Sequence, residues 1–238
     1  MIVGLFPVAA FAEGGEKSTV DTSLPDAVKG VITLTKDVTL AAPFTVAQNE
    51  NVTIDLNGHK ITNASGQHTI VNSGTLTIKD SKTDGQIINN AEGHSVLQNE
   101  PGAMATIENG KLYKSNNTGS NDYYVITNHG TLTINGGSVA SESSHSSAIE
   151  NGWYTPGQNT SQTYATLTIN AGEVSSLNAT GGLYTLKNDD YGIMEIHGGS
   201  FANTTPKAGT ILNWNELTIT DGEFTAQNAA VATMAEGT

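Results

Sequence analysis

The chain has no cysteine and no arginine. Without cysteine there is no disulfide framework, no thiolate nucleophile and no sulfur-ligated metal site. Every one of the ten basic residues among the 238 is Lys, set against 23 Asp and Glu, for a formal net charge of −13. A nucleic-acid-binding surface needs clustered basic residues, and none occurs. The acidic balance also repels anionic lipid; its plainest consequence is solubility. Aromatic residues make up only 6% of the chain, too few for a globular core built on large rings. A solenoid needs fewer, because each coil buries only a thin inward stripe. Beyond an apolar stretch at residues 1–11, nothing approaches the ~18 continuous apolar residues of a membrane-spanning helix.

What the chain does have is a repeat. An apolar–x–apolar pair recurs seven times, as Ile54/Leu56, Leu76/Ile78, Ala105/Ile107, Leu132/Ile134, Leu167/Ile169, Met194/Ile196 and Leu217/Ile219. Five residues later stands Ile61, Leu112, Val139, Val174, Phe201 or Phe224; Ile87, nine residues on, is the exception. A glycine follows the pair by three in five copies, Gly110, Gly137, Gly172, Gly199 and Gly222, and by two at Gly58. Successive pairs are 22, 29, 27, 35, 27 and 23 residues apart, counted from Leu56 to Ile219. Periods of about 20 to 50 mark a solenoid, propeller or array.

The pair has period two, so both apolar side chains face one way and the residue between them faces the other. Glycine then allows a tight bend, and the next apolar residue opens a second inward-facing strand. A second phrase, apolar–x–Asn, ends in Asn72, Asn99, Asn128, Asn151, Asn188 and Asn213. It supplies a third strand, and its stacked amides form a ladder of the kind known between in-register parallel strands. The expected fold is all-β: a right-handed parallel β-helix solenoid of about eight coils with a short N-terminal cap. Propeller blades need about 40–45 residues each, which fits less well.

Three regions follow from this reading. Residues 1–12 match the apolar core and A-x-A site (Ala10-Phe11-Ala12) of a signal peptide, truncated because the basic leader is missing. Residues 13–30 form a linker and cap, in which Ser23-Leu24-Pro25-Asp26 predicts a short helix. Residues 31–238 form the solenoid. Its last coil is left open, with Val231 and Met234 at the edge, so self-association through that end, or further coils, is expected.

The stretch Val31-Ile32-Thr33-Leu34-Thr35-Lys36-Asp37-Val38, followed by Asn51-Val52-Thr53-Ile54-Asp55-Leu56-Asn57-Gly58 and the repeated Leu-Thr-Ile-x-x-Gly units, carries a family likeness. It resembles secreted bacterial β-helix (pectin-lyase-like) repeat proteins, the adhesin-like group of cell surfaces. The resemblance covers nearly everything after Val31. It implies an exported, surface-associated protein, and it carries over no catalytic residue.

Catalysis has little to stand on in the sequence. No strand shows an Asp-x-Asp ladder, and the one adjacent acidic pair, Asp189-Asp190, reads as a solvated turn. The six His residues lie outside helical metal-binding spacing, so no cofactor or metal is expected. Outward Thr residues (Thr53, Thr77, Thr106, Thr133, Thr168) recur as they do on ice-binding solenoids, but Thr is also an ordinary exposed strand residue. Trp153, Tyr154 and Tyr164 lie around the long insertion that includes residues 151–159, with Tyr123 and Tyr124, in the loop at 115–124, about one coil earlier. These are the candidate ligand contacts, as stacking platforms for sugar rings or anchors for a protein partner. They are also suited to folding back over the coil flank. The expected function is a non-catalytic secreted or cell-surface module, a rigid spacer or adhesin-like surface for glycans or host surface proteins. The alternatives are a carbohydrate-active enzyme, lyase or hydrolase, and a soluble glycan-binding module.

Overall fold

A computed structural model describes residues 21–115, 123–160, 162–178 and 183–233. The signal-peptide reading of residues 1–12, the first part of the linker and Met234 lie outside the described residues. The chain is a parallel β-solenoid of three eight-stranded sheets, each strand pairing with its counterparts in the adjacent coils. Sheet 1 holds Val31–Thr33, Asn51–Asp55, Thr75–Lys79, Met104–Ile107, Thr131–Ile134, Ala165–Ile169, Gly192–Ile196 and Glu216–Ile219. Sheet 2 holds Val38–Leu40, Lys60–Asn63, Gln86–Asn89, Lys111–Lys114, Ser138–Ser141, Glu173–Ser176, Ser200–Asn203 and Glu223–Thr225. Sheet 3 holds Phe44–Val46, Ile70–Asn72, Leu97–Asn99, Ile126–Asn128, Ile149–Asn151, Leu186–Asn188, Ile211–Asn213 and Val231–Thr233. The eight strands of each sheet correspond to the eight coils expected; the two outermost coils are stacked on one side only, so about six turns are enclosed by neighbours on both sides.

Like residues stack above like. One inward column of sheet 1 runs through Ile32, Ile54, Ile78, Ile107, Ile134, Ile169, Ile196 and Ile219. Six of the eight are buried to 1% exposure or less, which removes most of a large side chain from water, each stabilising the fold by roughly 1.5–3 kcal/mol. The second inward column of that sheet begins at Val52, not at Ile54 as the repeat suggested. Because strands have period two, a two-residue shift keeps the same side chains facing inward, so pattern alone cannot detect it. Leu56 is buried all the same, filling the first corner where Gly85 and Gly110 would otherwise meet it with a Cβ.

The corner between sheets 1 and 2 is set by glycine. Gly137 has φ +79°, and a Cβ there would lie 2.4 Å from the carbonyl oxygen of Gly110 in the coil below. No other residue fits both the left-handed backbone and that approach.

The corner after sheet 3 is set by asparagine. Asn72, Asn99, Asn128, Asn151 and Asn188 each donate Nδ2–H to Oδ1 of the next Asn, at 2.8, 2.7, 2.7, 2.8 and 2.7 Å, ending on Asn213. Each also donates to a carbonyl of a following first strand: those of Met104, Thr131, Thr166, Ile193 and Glu216. Buried amides satisfied in this way are stabilising, whereas an unpaired one costs about 1–3 kcal/mol.

The corner between sheets 2 and 3 has no single rule and its length changes from coil to coil, while the longest single insertion follows Asn151 at the corner after sheet 3. Its polar column runs Asn63, Asn89, Lys114, Ser141, Ser176, Asn203. Lys114 is fully buried, with Nζ donating to the carbonyls of Ala91 (2.5 Å) and His94 (2.9 Å). The expected helix at Ser23-Leu24-Pro25-Asp26 is absent. Residues 21–30 lie without helix against the first coil and end in a turn at Lys29 and Gly30, with Asp21 bridging Val38 and Val28 bridging Val31, since a strand edge left without a neighbour must find backbone partners. Among the described residues the only helical element is the 3₁₀ turn Pro156–Gln158, and no helix is long and apolar enough to cross a membrane.

Candidate functional site

On the outer face of sheet 3 a column of side chains is continuous in register: Gln98, Thr127, Glu150, Lys187. Outward residues of a solenoid are ordinarily wet. Thr127 and Glu150 are nevertheless buried, and the Lys187 side chain is only 13% exposed, because loops lean over them from both sides. Segments from the corner before sheet 3 bring Tyr123, Tyr124, His145, Ser146 and Leu183. The insertion after Asn151 brings Tyr154, Thr155 and Gln158. Between them lies a cavity of about 430 Å³ with Glu150 and Lys187 in its lining. That volume falls within the range of small-molecule sites.

The floor is electrostatically unusual. Lys187 Nζ lies 2.9 Å from Asp189 Oδ2 and 4.0 Å from the centre of the Tyr154 ring. Glu150 shares a hydrogen bond with Asp189 and another with Tyr124, and its Oε1 accepts the Tyr154 backbone N–H at 3.3 Å. Burial, then the Asp189 charge, pushes the Glu150 carboxyl up to about 8. Asp189 is also raised, chiefly by burial, with Lys187 pulling the other way. Burial and the neighbouring carboxyls raise the Tyr123 and Tyr124 hydroxyls as well. Burial lowers His129, in the cavity wall, to about 4, which leaves it neutral near pH 7.

Three of the five aromatic candidates meet at this cavity: Tyr123, Tyr124 and Tyr154. Tyr123 and Tyr124 pack at 5.1 Å between ring centres, while Tyr154 is 71% exposed. Trp153 turns inward instead. It is 4% exposed and stacks on His129 at 4.6 Å, so it supports the cavity wall from behind. Tyr164 stands apart, against Tyr191 at 5.7 Å.

Asp189 is not the solvated turn residue that the sequence suggested. The turn it occupies is folded under the insertion, where Trp153 bridges Asp190, and it is 3% exposed. Glu150 and Lys187 escaped sequence reasoning altogether, since each sits at the middle position of an apolar–x–Asn phrase, where an exposed residue is the default. A second, half-buried cluster escaped as well. His68 lies 4.8 Å from His94, ring centre to ring centre, close to Lys114 and Tyr123, and burial followed by His94 and Lys114 lowers His68 to about 4. Among the described residues, no group of three or more His, Cys, Asp or Glu is arranged to hold a metal ion.

Fold and site together define a parallel β-solenoid carrying a loop-built, aromatic-walled cavity on one flank. No family model, no curated protein and no solved structure matches the chain.

Proposed function

We propose that this chain is a non-catalytic binding module of an exported, cell-surface protein of the pectin-lyase-like, adhesin-like kind, whose solenoid acts as a rigid spacer and whose flank cavity binds a glycan. The observation that carries the reading is the cavity itself. Two insertions from different corners converge on one stretch of sheet 3 and present three Tyr rings over a polar floor. Tyrosine rings offer flat apolar faces for sugar rings, while their hydroxyls and the neighbouring Ser146, Ser147 and Gln158 can pair with sugar hydroxyls. Binding to a glycan array, lost in Tyr154→Ala, tests this; an array with no hits overturns it.

The enzyme reading is favoured by one observation: a carboxyl protonated near pH 7, as a general acid must be. The spacing speaks against it. Glu150 and Asp189 share a hydrogen bond, whereas paired glycosidase carboxylates stand at least about 5 Å apart to admit a sugar or water between them. We therefore expect no reducing ends or unsaturated products from pectate or other polysaccharides, with or without calcium. Turnover abolished by Asp189→Asn would establish an enzyme instead.

A further inference from the structure

The cavity floor holds two buried carboxyl groups and one ammonium. Lys187 is committed to Asp189 at 2.9 Å and to the Tyr154 ring at 4.0 Å. Glu150, 3% exposed and in the cavity lining, is hydrogen-bonded to Asp189, the Tyr124 hydroxyl and the Tyr154 backbone; the Lys187 charge acts on it through space, but the ion pair of Lys187 is with Asp189. Among the described residues no second Lys lines the cavity; the other titratable groups facing it are Tyr123, His129 and His145, with Asp190 behind Asp189. His129 is held neutral by burial. Lys187 meanwhile shows that these walls receive an ammonium well, with one carboxylate and one ring face around it. Ring faces and buried carboxylates both favour cations. The room for a second ammonium is therefore on the Glu150 side.

We propose that the ligand is an amino sugar whose free ammonium group seats against Glu150 while its ring lies along Tyr154. This rests on the glycan reading above and names the sugar class. Since Glu150 carries a proton near neutral pH and an arriving ammonium needs the carboxylate, binding releases a proton to solvent. The sign follows: raising the pH from about 6 towards 8 strengthens binding, by up to about tenfold per unit for one released proton, until the sugar's own amine deprotonates.

The experiment is calorimetric titration of the full chain with three trimers: β-1,4-glucosamine, its N-acetylated form and the neutral glucose trimer. Each is run in two buffers of different ionisation enthalpy. We expect the glucosamine trimer to bind at least tenfold tighter than the other two, with a buffer-dependent heat equal to about one released proton. Glu150→Gln should erase the preference and the proton release while leaving a circular dichroism spectrum like that of the parent; Tyr154→Ala should weaken all three sugars. Equal affinities for the three trimers in the parent chain would overturn the ammonium assignment and leave glycan binding standing. Tight binding without proton release would overturn the role of Glu150 whatever the variants do. Binding of none of the three overturns this inference, and the glycan array then decides the broader reading separately.

Discussion

Sheets 1 and 3 rest on the same interior and are built from the same coils, yet their outer faces differ. The outer column of sheet 1 is nearly uniform, Thr53, Thr77, Thr106, Thr133, Thr168, Glu195 and Thr218 in register, and each of these residues is half-buried or exposed. The outer column of sheet 3 passes from Gln98 through Thr127 and Glu150 to Lys187 and is roofed by loops. The corners explain the contrast. The glycine corner is short in most coils, because stacked glycines leave no space for elaboration. The corner before sheet 3 is held by a polar column of changing identity, so loops of any length can leave it. Chemistry gathers where the repeat is least regular, as is general for loops on rigid scaffolds.

The largest effect should come from what the two faces share. Ile169→Asp places an unpaired charge in the common interior column and should abolish folding, seen as loss of the far-ultraviolet strand signal. A variant with unchanged melting would mean that the two faces do not depend on one core.

Next is a cut on one side only. Asn128→Ala removes one of the two acceptors of Asn99 Nδ2, leaves Asn151 Oδ1 without its ladder donor, and should cost about 2–5 kcal/mol in a denaturant titration. Thr133→Val, in the neighbouring first strand but on the bare face of sheet 1, should stay within about 0.5 kcal/mol. Equal costs would erase the distinction between a supporting corner and a bare face.

A subtler difference is in pH dependence. Glu150 in the folded chain is raised from an ordinary 4.5 to about 8, so the folded state holds a proton that the unfolded state has lost over that window. Its contribution is fully present below about pH 4.5 and fades as the pH rises towards 8, at a rate approaching about 1.4 kcal/mol per unit. Glu150→Gln should flatten that part of the stability profile, measured as the difference between the two proteins. The smallest effect on stability should be that of Tyr154→Ala, within about 0.5 kcal/mol for so exposed a ring, even as glycan binding is lost.

The interior was legible in the sequence because period-two patterning and the recurring Asn each have one physical use in a stacked coil. The amide ladder lies as the repeat indicated, and so does the Ile column except in the first copy, where Ile54 takes the place given to Leu56. The site was legible only in outline. The insertions pointed to the region, and Tyr123, Tyr124 and Tyr154 reached it. Which rings turn in, as Trp153 does, depends on a partner such as His129 that stands 24 residues earlier in the chain and becomes adjacent only when coils stack. Glu150 and Lys187 look like ordinary outward residues until loops from other coils cover them. The column containing Lys114 was hidden for a related reason: Asn, Lys and Ser perform one task there, donating or accepting at a corner, and no single letter repeats.

The amide ladder also has a polarity. All five of its side-chain-to-side-chain bonds run in one direction, donor in the earlier coil and acceptor in the later one. In the surrounding sheets, neighbouring strands exchange donors and acceptors both ways, so their dipoles largely cancel. The Asn side chains add head to tail instead, and hydrogen bonds linked in this way polarise one another. The solenoid therefore carries a buried electric axis, negative towards the first coil and positive towards the last, a small counterpart of the dipole of a helix made from side chains alone.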